Sequence, residues 1–232
     1  MTFAFINAMH KEHEQLVQLL SNTKEKELGP FRVVEGKYGA CDVVLMESGI
    51  GKVNAAIGAA ELLHNYRLNA IINTGVAGGI DPTVGVMDVV VGKSVAYHDV
   101  DCGPENKPGQ VQGLPLFFPA SLRLLQIATE LSAPETKIHS GLICSGDQFI
   151  TDREQLNLIK QRFPLALAVD MESGALAQVC HLYGVPFLSF RIISDTPGAE
   201  GHFDQYTNFW DTMADRSFAV TRSLLDALTS QL

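Results

Sequence analysis

Basic residues are scarce in this chain. Lysine and arginine number 17 against 26 aspartates and glutamates, a formal charge of −9 over 232 residues. Binding a polyanion needs a basic face, so nucleic acid is not expected as a partner. An anionic membrane surface is disfavoured for the same reason. Cysteine is sparse too: Cys41, Cys102, Cys144 and Cys180 stand far apart with no C-x-x-C, neither a zinc spacing nor a disulfide framework. Free thiols fit a reducing cytosol, and a cytoplasmic location is expected. Long apolar runs are missing: Ala70 to Ile80 is interrupted by Asn73, Thr74 and three glycines and is too short to span a bilayer. The first nine residues lack a basic n-region and run into the charged stretch His10 to Glu14, so a signal peptide is not expected. Charged residues make up only 19% against 46% hydrophobic, which excludes a disordered chain. The length suffices for a sizeable core without disulfides or metals.

Several common motifs fail on inspection. Gly49-Ile50-Gly51-Lys52-Val53 suggests a phosphate loop, but Met46 and Val53 stand where a P-loop needs Gly and Ser or Thr, and Asn54 breaks the dinucleotide pattern. His10-Lys11-Glu12-His13 does not match the zinc spacing H-E-x-x-H. His98-Asp99-Val100-Asp101 has no partner cluster elsewhere and reads as a strand end entering a polar loop. No Ser has Gly at both −2 and +2, which removes the nucleophile elbow. Neither a metal nor a cofactor is expected.

What is present is strand–helix alternation. Short apolar runs at Phe3 to Ile6, Phe31 to Lys37, Val43 to Glu47, Ala70 to Asn73, Val86 to Val95, Lys137 to Cys144, Leu165 to Val169 and Pro186 to Ile193 read as strands. Between them, Lys11 to Leu20, Val53 to Tyr66, Ser121 to Leu131, Asp152 to Arg162, Glu172 to Tyr183 and Asn208 to Leu228 carry helical spacing. Asp99 to Pro119, with four of the ten prolines, reads as a long loop. The pattern predicts one α/β domain over residues 1–232, with a central mixed, mostly parallel twisted sheet flanked by helices. Ligands in such folds bind beyond the carboxyl ends of strands.

Four such ends hold unusual residues. Met9-His10-Lys11-Glu12 puts a carboxylate in the first turn of a helix, where the helix dipole alone could explain it. Asn73 to Gly79 carries three glycines where a tight turn needs one or two, and reads as a loop open to close backbone approach. Val169-Asp170-Met171-Glu172 sets two acids two apart, pointing the same way if extended; the plainer reading is a helix cap. Period-2 geometry puts Arg191, Ile193 and Asp195 on one face of an apolar strand, where a charge must be paired. The plainer reading there is an internal Arg–Asp ion pair.

Together these segments resemble the 5′-methylthioadenosine/S-adenosylhomocysteine nucleosidases of the nucleoside phosphorylase superfamily. The resemblance runs through Ala8-Met9 to Glu12, Ser48 to Val53, Ile72 to Gly79, Ser145-Gly146-Asp147-Gln148-Phe149-Ile150, Val169 to Glu172 and Arg191 to Asp195, in that order. It implies hydrolysis of the N-glycosidic bond between adenine and a 5′-thio-substituted ribose, through an oxocarbenium-like transition state. The residue matching Glu12 would activate water. Asp195, kept protonated by burial, would protonate purine N7. Glu172 would bind the ribose hydroxyls. Phe149 would stack on adenine and the Ile150 backbone would bond the base edge. Val76, Ala77 and Gly78 would line the substrate. Met9, Ile50 and Met171 would flank the sugar and thioalkyl group, Ser194 would orient Asp195, and Arg191 would sit near the attacking water. The expected partners are small-molecule 5′-thioadenosine nucleosides and a second copy of the chain.

The superfamily divides on whether water or phosphate attacks C1′. Phosphorylases carry an arginine just before the Thr-Gly turn; here Asn73 stands there, and Asn7 to Glu12 offers a carboxylate instead. Hydrolysis is therefore expected. The sequence departs from many relatives after His98-Asp99: Cys102 to Pro108 has no aromatic residue to cover a partner subunit's ligand, and Leu114, Leu116, Phe117 or Phe118 are the candidates to replace it. An aminodeoxyfutalosine nucleosidase, a phosphate-dependent purine nucleoside phosphorylase and a non-catalytic nucleoside sensor remain as alternatives. Asp170 stands where a Glu is frequent and receives no role.

Overall fold

The computed structural model of the chain describes residues 1–132, 136–199, 201–212 and 214–231. In chain order the elements are β1 (Thr2–Asn7), α1 (His10–Val17), β2 (Ser21–Leu28), β3 (Phe31–Tyr38), β4 (Cys41–Glu47), α2 (Lys52–Asn65), β5 (Ala70–Gly79), β6 (Val89–Tyr97), β7 (Phe118–Pro119) and α3 (Leu122–Thr129). There follow β8 (Ile138–Ser145), α4 (Arg153–Arg162), β9 (Ala166–Asp170), α5 (Ser173–Tyr183), β10 (Phe187–Asp195), α6 (His202–Thr212) and α7 (Ala214–Gln231).

Among the described residues ten strands form one mixed sheet with helices packed against it. Strands β4, β1, β5 and β10 run parallel, as do β6, β8 and β9. Antiparallel seams join the two groups: β10 with β6, and β5 with β9. Strands β5, β10, β6, β8 and β9 therefore pair in a closed ring. The β5–β9 seam is short, Gly78 opposite Val169 and Gly79 opposite Ala168, so two strands running in opposite directions meet only near their carboxyl ends. That meeting gathers the strand ends of both parallel groups at one place.

Apolar side chains on both faces explain the buried strands. On β1, Ala4 and Ile6 enter a core shared with α2 and α5, while Phe3 and Phe5 enter a second core shared with α1, α3 and α7. Two elements differ from the sequence expectation. Strand β2 was not legible: from Ser21 to Glu27 it is exposed, and a charged edge strand shows no alternation because neither face is buried. Strand β5 does not stop at Asn73 but continues through the glycines to Gly79. It stays paired with β10 and β9, and side chains crowd the places where its own would stand: a Cβ on Gly78 would lie 2.6 Å from Pro197 Cγ, and one on Gly79 2.9 Å from Ile193 Cγ2. The expected final helix is two, α6 and α7, and begins earlier, at His202; residue 213 lies outside the described residues. Asp152 caps α4 as expected, its Oδ1 accepting the Gln155 N–H at 2.8 Å.

Candidate active site

At the gathered strand ends lies an open cavity of about 640 Å³. Glu12, Glu172 and Asp195 line it. So do Met9, Ile50, Val76, Ala77 and Gly78, and on the remaining walls Phe149, Ile150, Met171, Arg191 and Ser194. Residues from six motifs far apart in sequence thus share one wall system. Sequence reasoning missed Ala8, Gln148, Val169, Pro197 and Tyr206, and gave Asp170 no role; all six line the same cavity. Tyr206 sits on α6 with no motif around it. Its hydroxyl donates to Met9 Sδ at 3.4 Å, and its ring meets Phe149 edge-on at 5.5 Å.

Glu12 opens α1 but is turned inward and buried. Its Oε2 accepts the Met9 N–H at 3.2 Å and its Oε1 accepts the Val76 N–H at 3.1 Å. It thus stands in the first turn, where the helix dipole favours an acid, and lines the cavity as well. Burial pushes its pKa up to about 7, against the opposing pull of Arg191.

The turn from β9 to α5 divides its two acids. Asp170 does the local work: its Oδ1 accepts the Ser173 N–H at 3.2 Å, and its Oδ2 accepts the Ser173 hydroxyl. Glu172 makes no cap bond to its own helix and instead accepts the Gly51 N–H at 3.1 Å. Burial raises its pKa as well, with Arg191 opposing.

Arg191 is 1% exposed. The plainer reading, an internal Arg–Asp ion pair, holds with Asp170 rather than Asp195: Arg191 Nε pairs with Asp170 at 2.8 Å, and Nη2 with Glu172 at 3.2 Å. Arg191 and Asp195 both line the cavity, but four residues of strand separate them by about 13 Å, too far for an ion pair. Asn73, Ser173 and Ser189 complete a buried polar cluster around the guanidinium: Nη2 donates to Asn73 Oδ1 at 2.5 Å, and the Ser173 and Ser189 hydroxyls are 2.7 Å apart. Asp195 is buried, and its Oδ1 accepts the Ser194 hydroxyl at 2.7 Å.

Two loops around the cavity are tied together. Asp147 Oδ1 accepts the Lys52 N–H at 2.7 Å, capping α2, while Asp99 Oδ2 takes the Asp147 N–H at 2.9 Å and Lys52 Nζ at 2.8 Å. Of the groups that invited a metal reading, Asp99 Oδ2 is held by Lys52 and Asp147, and His10 faces Glu14 and Glu47. Leu114, Leu116, Phe117 and Phe118 do not line the cavity of their own chain. Phe117 is exposed, while Leu114, Leu116 and Phe118 pack against the hydrophobic cores.

A family model described as the phosphorylase superfamily matches residues 2–226. The 5′-methylthioadenosine/S-adenosylhomocysteine nucleosidase of Chromohalobacter salexigens is 37% identical over 230 residues, 97% of each chain. The chain belongs to this nucleosidase family. The family's solved structures share its fold: the S-adenosylhomocysteine nucleosidase of Streptococcus pyogenes, in complex with 5-methylthiotubericidin, has a TM-score of 0.93 at 32% identity, covering 98% of this chain and 97% of that one. A futalosine hydrolase mutant of Helicobacter pylori has a TM-score of 0.90 at 25% identity, covering 97% and 99%. The nucleosidase motifs expected from sequence therefore fall on a nucleosidase fold. The position where phosphorylases carry arginine, Asn73, faces Arg191 and the Ile6 carbonyl rather than the cavity.

Proposed function

We propose that this chain is a hydrolase cleaving the N-glycosidic bond of 5′-methylthioadenosine and S-adenosylhomocysteine, giving adenine and the 5-thioribose. The observation that carries the choice of water over phosphate is electrostatic. Among the described residues the cavity is lined by four carboxylates, Glu12, Asp170, Glu172 and Asp195, and one cation, Arg191, which two of those carboxylates already hold. A phosphate dianion would meet net negative charge; a neutral water would not.

In the proposed step the C1′–N9 bond breaks and its electron pair passes into the purine. Asp195 gives its proton to N7, so adenine leaves neutral. Water oxygen bonds C1′ from the opposite face and Glu12 takes the water proton. Its raised pKa suits that task near neutral pH. Glu172, with one oxygen on Gly51 N–H, binds the ribose hydroxyls and favours positive charge on the sugar. Phe149, exposed at the cavity mouth, stacks on adenine.

The test is adenine release from methylthioadenosine and S-adenosylhomocysteine in phosphate-free buffer. The reading expects release that added phosphate does not accelerate; strict phosphate dependence overturns it. Aminodeoxyfutalosine belongs in the same panel, since the Helicobacter pylori neighbour is a futalosine hydrolase; preference for that substrate would reassign the chain within the superfamily. Binding of intact nucleoside without adenine release would make it a sensor. We also read the protein as cytoplasmic and homodimeric. Its four cysteines are free, and no described helix is long and apolar enough to cross a membrane. Val53 and Ile57 expose an apolar strip on α2 beside the cavity. Light scattering at micromolar concentration checks the dimer; a mass of 25.2 kDa refutes it.

A further inference from the structure

Asp170 lines the cavity but takes no part in the steps above. Its position is unusual for a helix cap. It holds Nε of Arg191 at 2.8 Å with both side chains almost fully buried, and the Ser173 hydroxyl that donates to it also touches Asn73 and Ser189. The guanidinium is thereby fixed in one orientation. Its Nε and Nη2 face Asp170, Glu172 and Asn73, and its Nη1 points the other way, to the Val76 carbonyl at 3.4 Å. Val76 is also the residue whose N–H donates to Glu12. Gly75 reports how close the two groups stand: the point where its Cβ would be lies 2.6 Å from Glu12 Oε1 and 2.9 Å from Arg191 Nη1.

We propose that Asp170 is a positioning residue for the hydrolysis: by holding Nε of Arg191 it turns Nη1 toward Glu12, and by offsetting the guanidinium charge it keeps Glu12 basic enough to take a proton from water. The proposal rests on Glu12 being the base. A carboxylate beside an uncompensated buried arginine loses basicity by about one to three pH units. Here two carboxylates, Asp170 and Glu172, stand against the single positive charge, so Glu12 does not face an uncompensated cation; without Asp170, Glu172 alone offsets it. The other charged or titratable groups around Glu12 are few. Asp195 comes from β10 and Tyr206 from α6, both on the cavity wall; β5 contributes the Val76 N–H, and the α7 side chains behind Glu12 are Phe218 and Thr221. Burial remains the largest cause of the raised Glu12 pKa, and Asp170 prevents Arg191 from cancelling it.

The experiment is the pH dependence of kcat/KM for adenine release by wild type, Asp170→Asn, Asp170→Ser and Asp170→Glu. Asn and Ser remove the charge; Ser leaves room for a water against Nε should Asn disturb folding. Both should move the acid limb to lower pH by about one unit or more, with a lower plateau because the base is weaker. Glu restores the charge and should leave the limb at its wild-type position. A plateau that falls in Asn and Ser with the acid limb unmoved overturns the proposal and makes Asp170 a structural cap. Failure of wild type itself to release adenine would instead overturn the hydrolase reading.

Discussion

Gly75 stands directly against Glu12. A Cβ on residue 75 would lie 2.6 Å from Glu12 Oε1, 3.0 Å from Glu12 Cδ and 2.9 Å from Arg191 Nη1, and the backbone there has φ +144°. Only glycine combines that dihedral with that approach. The Gly75→Ala variant must displace the carboxylate, and a misplacement near 1 Å costs on the order of 100-fold in rate. The expected result is a kcat/KM about 100-fold lower for adenine release; a change of less than threefold would mean that the carboxylate position is not critical.

The ionised form of Glu12 is the reactive one, and its pKa is about 7. Activity should therefore be lost on the acid side: kcat/KM falls roughly tenfold per pH unit below that value. Glu12→Gln should lower kcat by about 10²- to 10⁴-fold. A wild-type profile flat down to pH 5.5, or a variant within a few-fold of wild type, removes Glu12 as the base.

The same group makes stability depend on pH. Its folded pKa lies above the unfolded value, so the folded chain binds more protons between pH 4.5 and 7. The unfolding free energy contributed by this site is greatest below pH 4.5 and declines as pH rises through 7, by on the order of 3 kcal/mol. Urea melts of wild type and Glu12→Gln at pH 5 and pH 8 check the sign. The variant should gain stability relative to wild type at the higher pH; a constant difference contradicts the buried charge.

Arg191→Met leaves Asp170 and Glu172 buried without their cation. Breaking such a cluster from one side costs about 3–5 kcal/mol. Denaturant melts should show a loss of that size at pH 8; a loss below 1 kcal/mol would mean that the carboxylates take up protons at no cost.

Asp147 caps α2 and joins the Phe149 loop to the Gly51 turn that holds Glu172. Asp147→Ala should cost about 1 kcal/mol of stability and raise KM several-fold, since both the base-stacking loop and the ribose carboxylate lose a fixed neighbour. Unchanged KM would separate the loop from substrate binding.

Much of this protein was legible in its sequence because the signals are local. Apolar runs such as Ala70 to Asn73 need burial on both faces wherever they lie. An acid in a first helical turn, a glycine cluster and Asp-Met-Glu at a strand end are each read within a few residues. The scarcity of arginine near these ends already favoured water over phosphate. What sequence could not decide were the pairings. Strand β2, polar or charged in every residue but Leu28, is a strand only because β3 offers it an edge. Strand β5 passes through its glycines because β9 and β10 bond to them. Arg191 meets Asp170 and Glu172 instead of Asp195 because the fold brings the β9–α5 turn against it, while Asp195 lies about 13 Å further along the same strand. The basicity of Glu12 follows from burial between elements more than 60 residues apart in the chain. Side-chain chemistry is written one residue at a time; charge compensation and dielectric belong to the folded surroundings, and those exist only once the strands have closed.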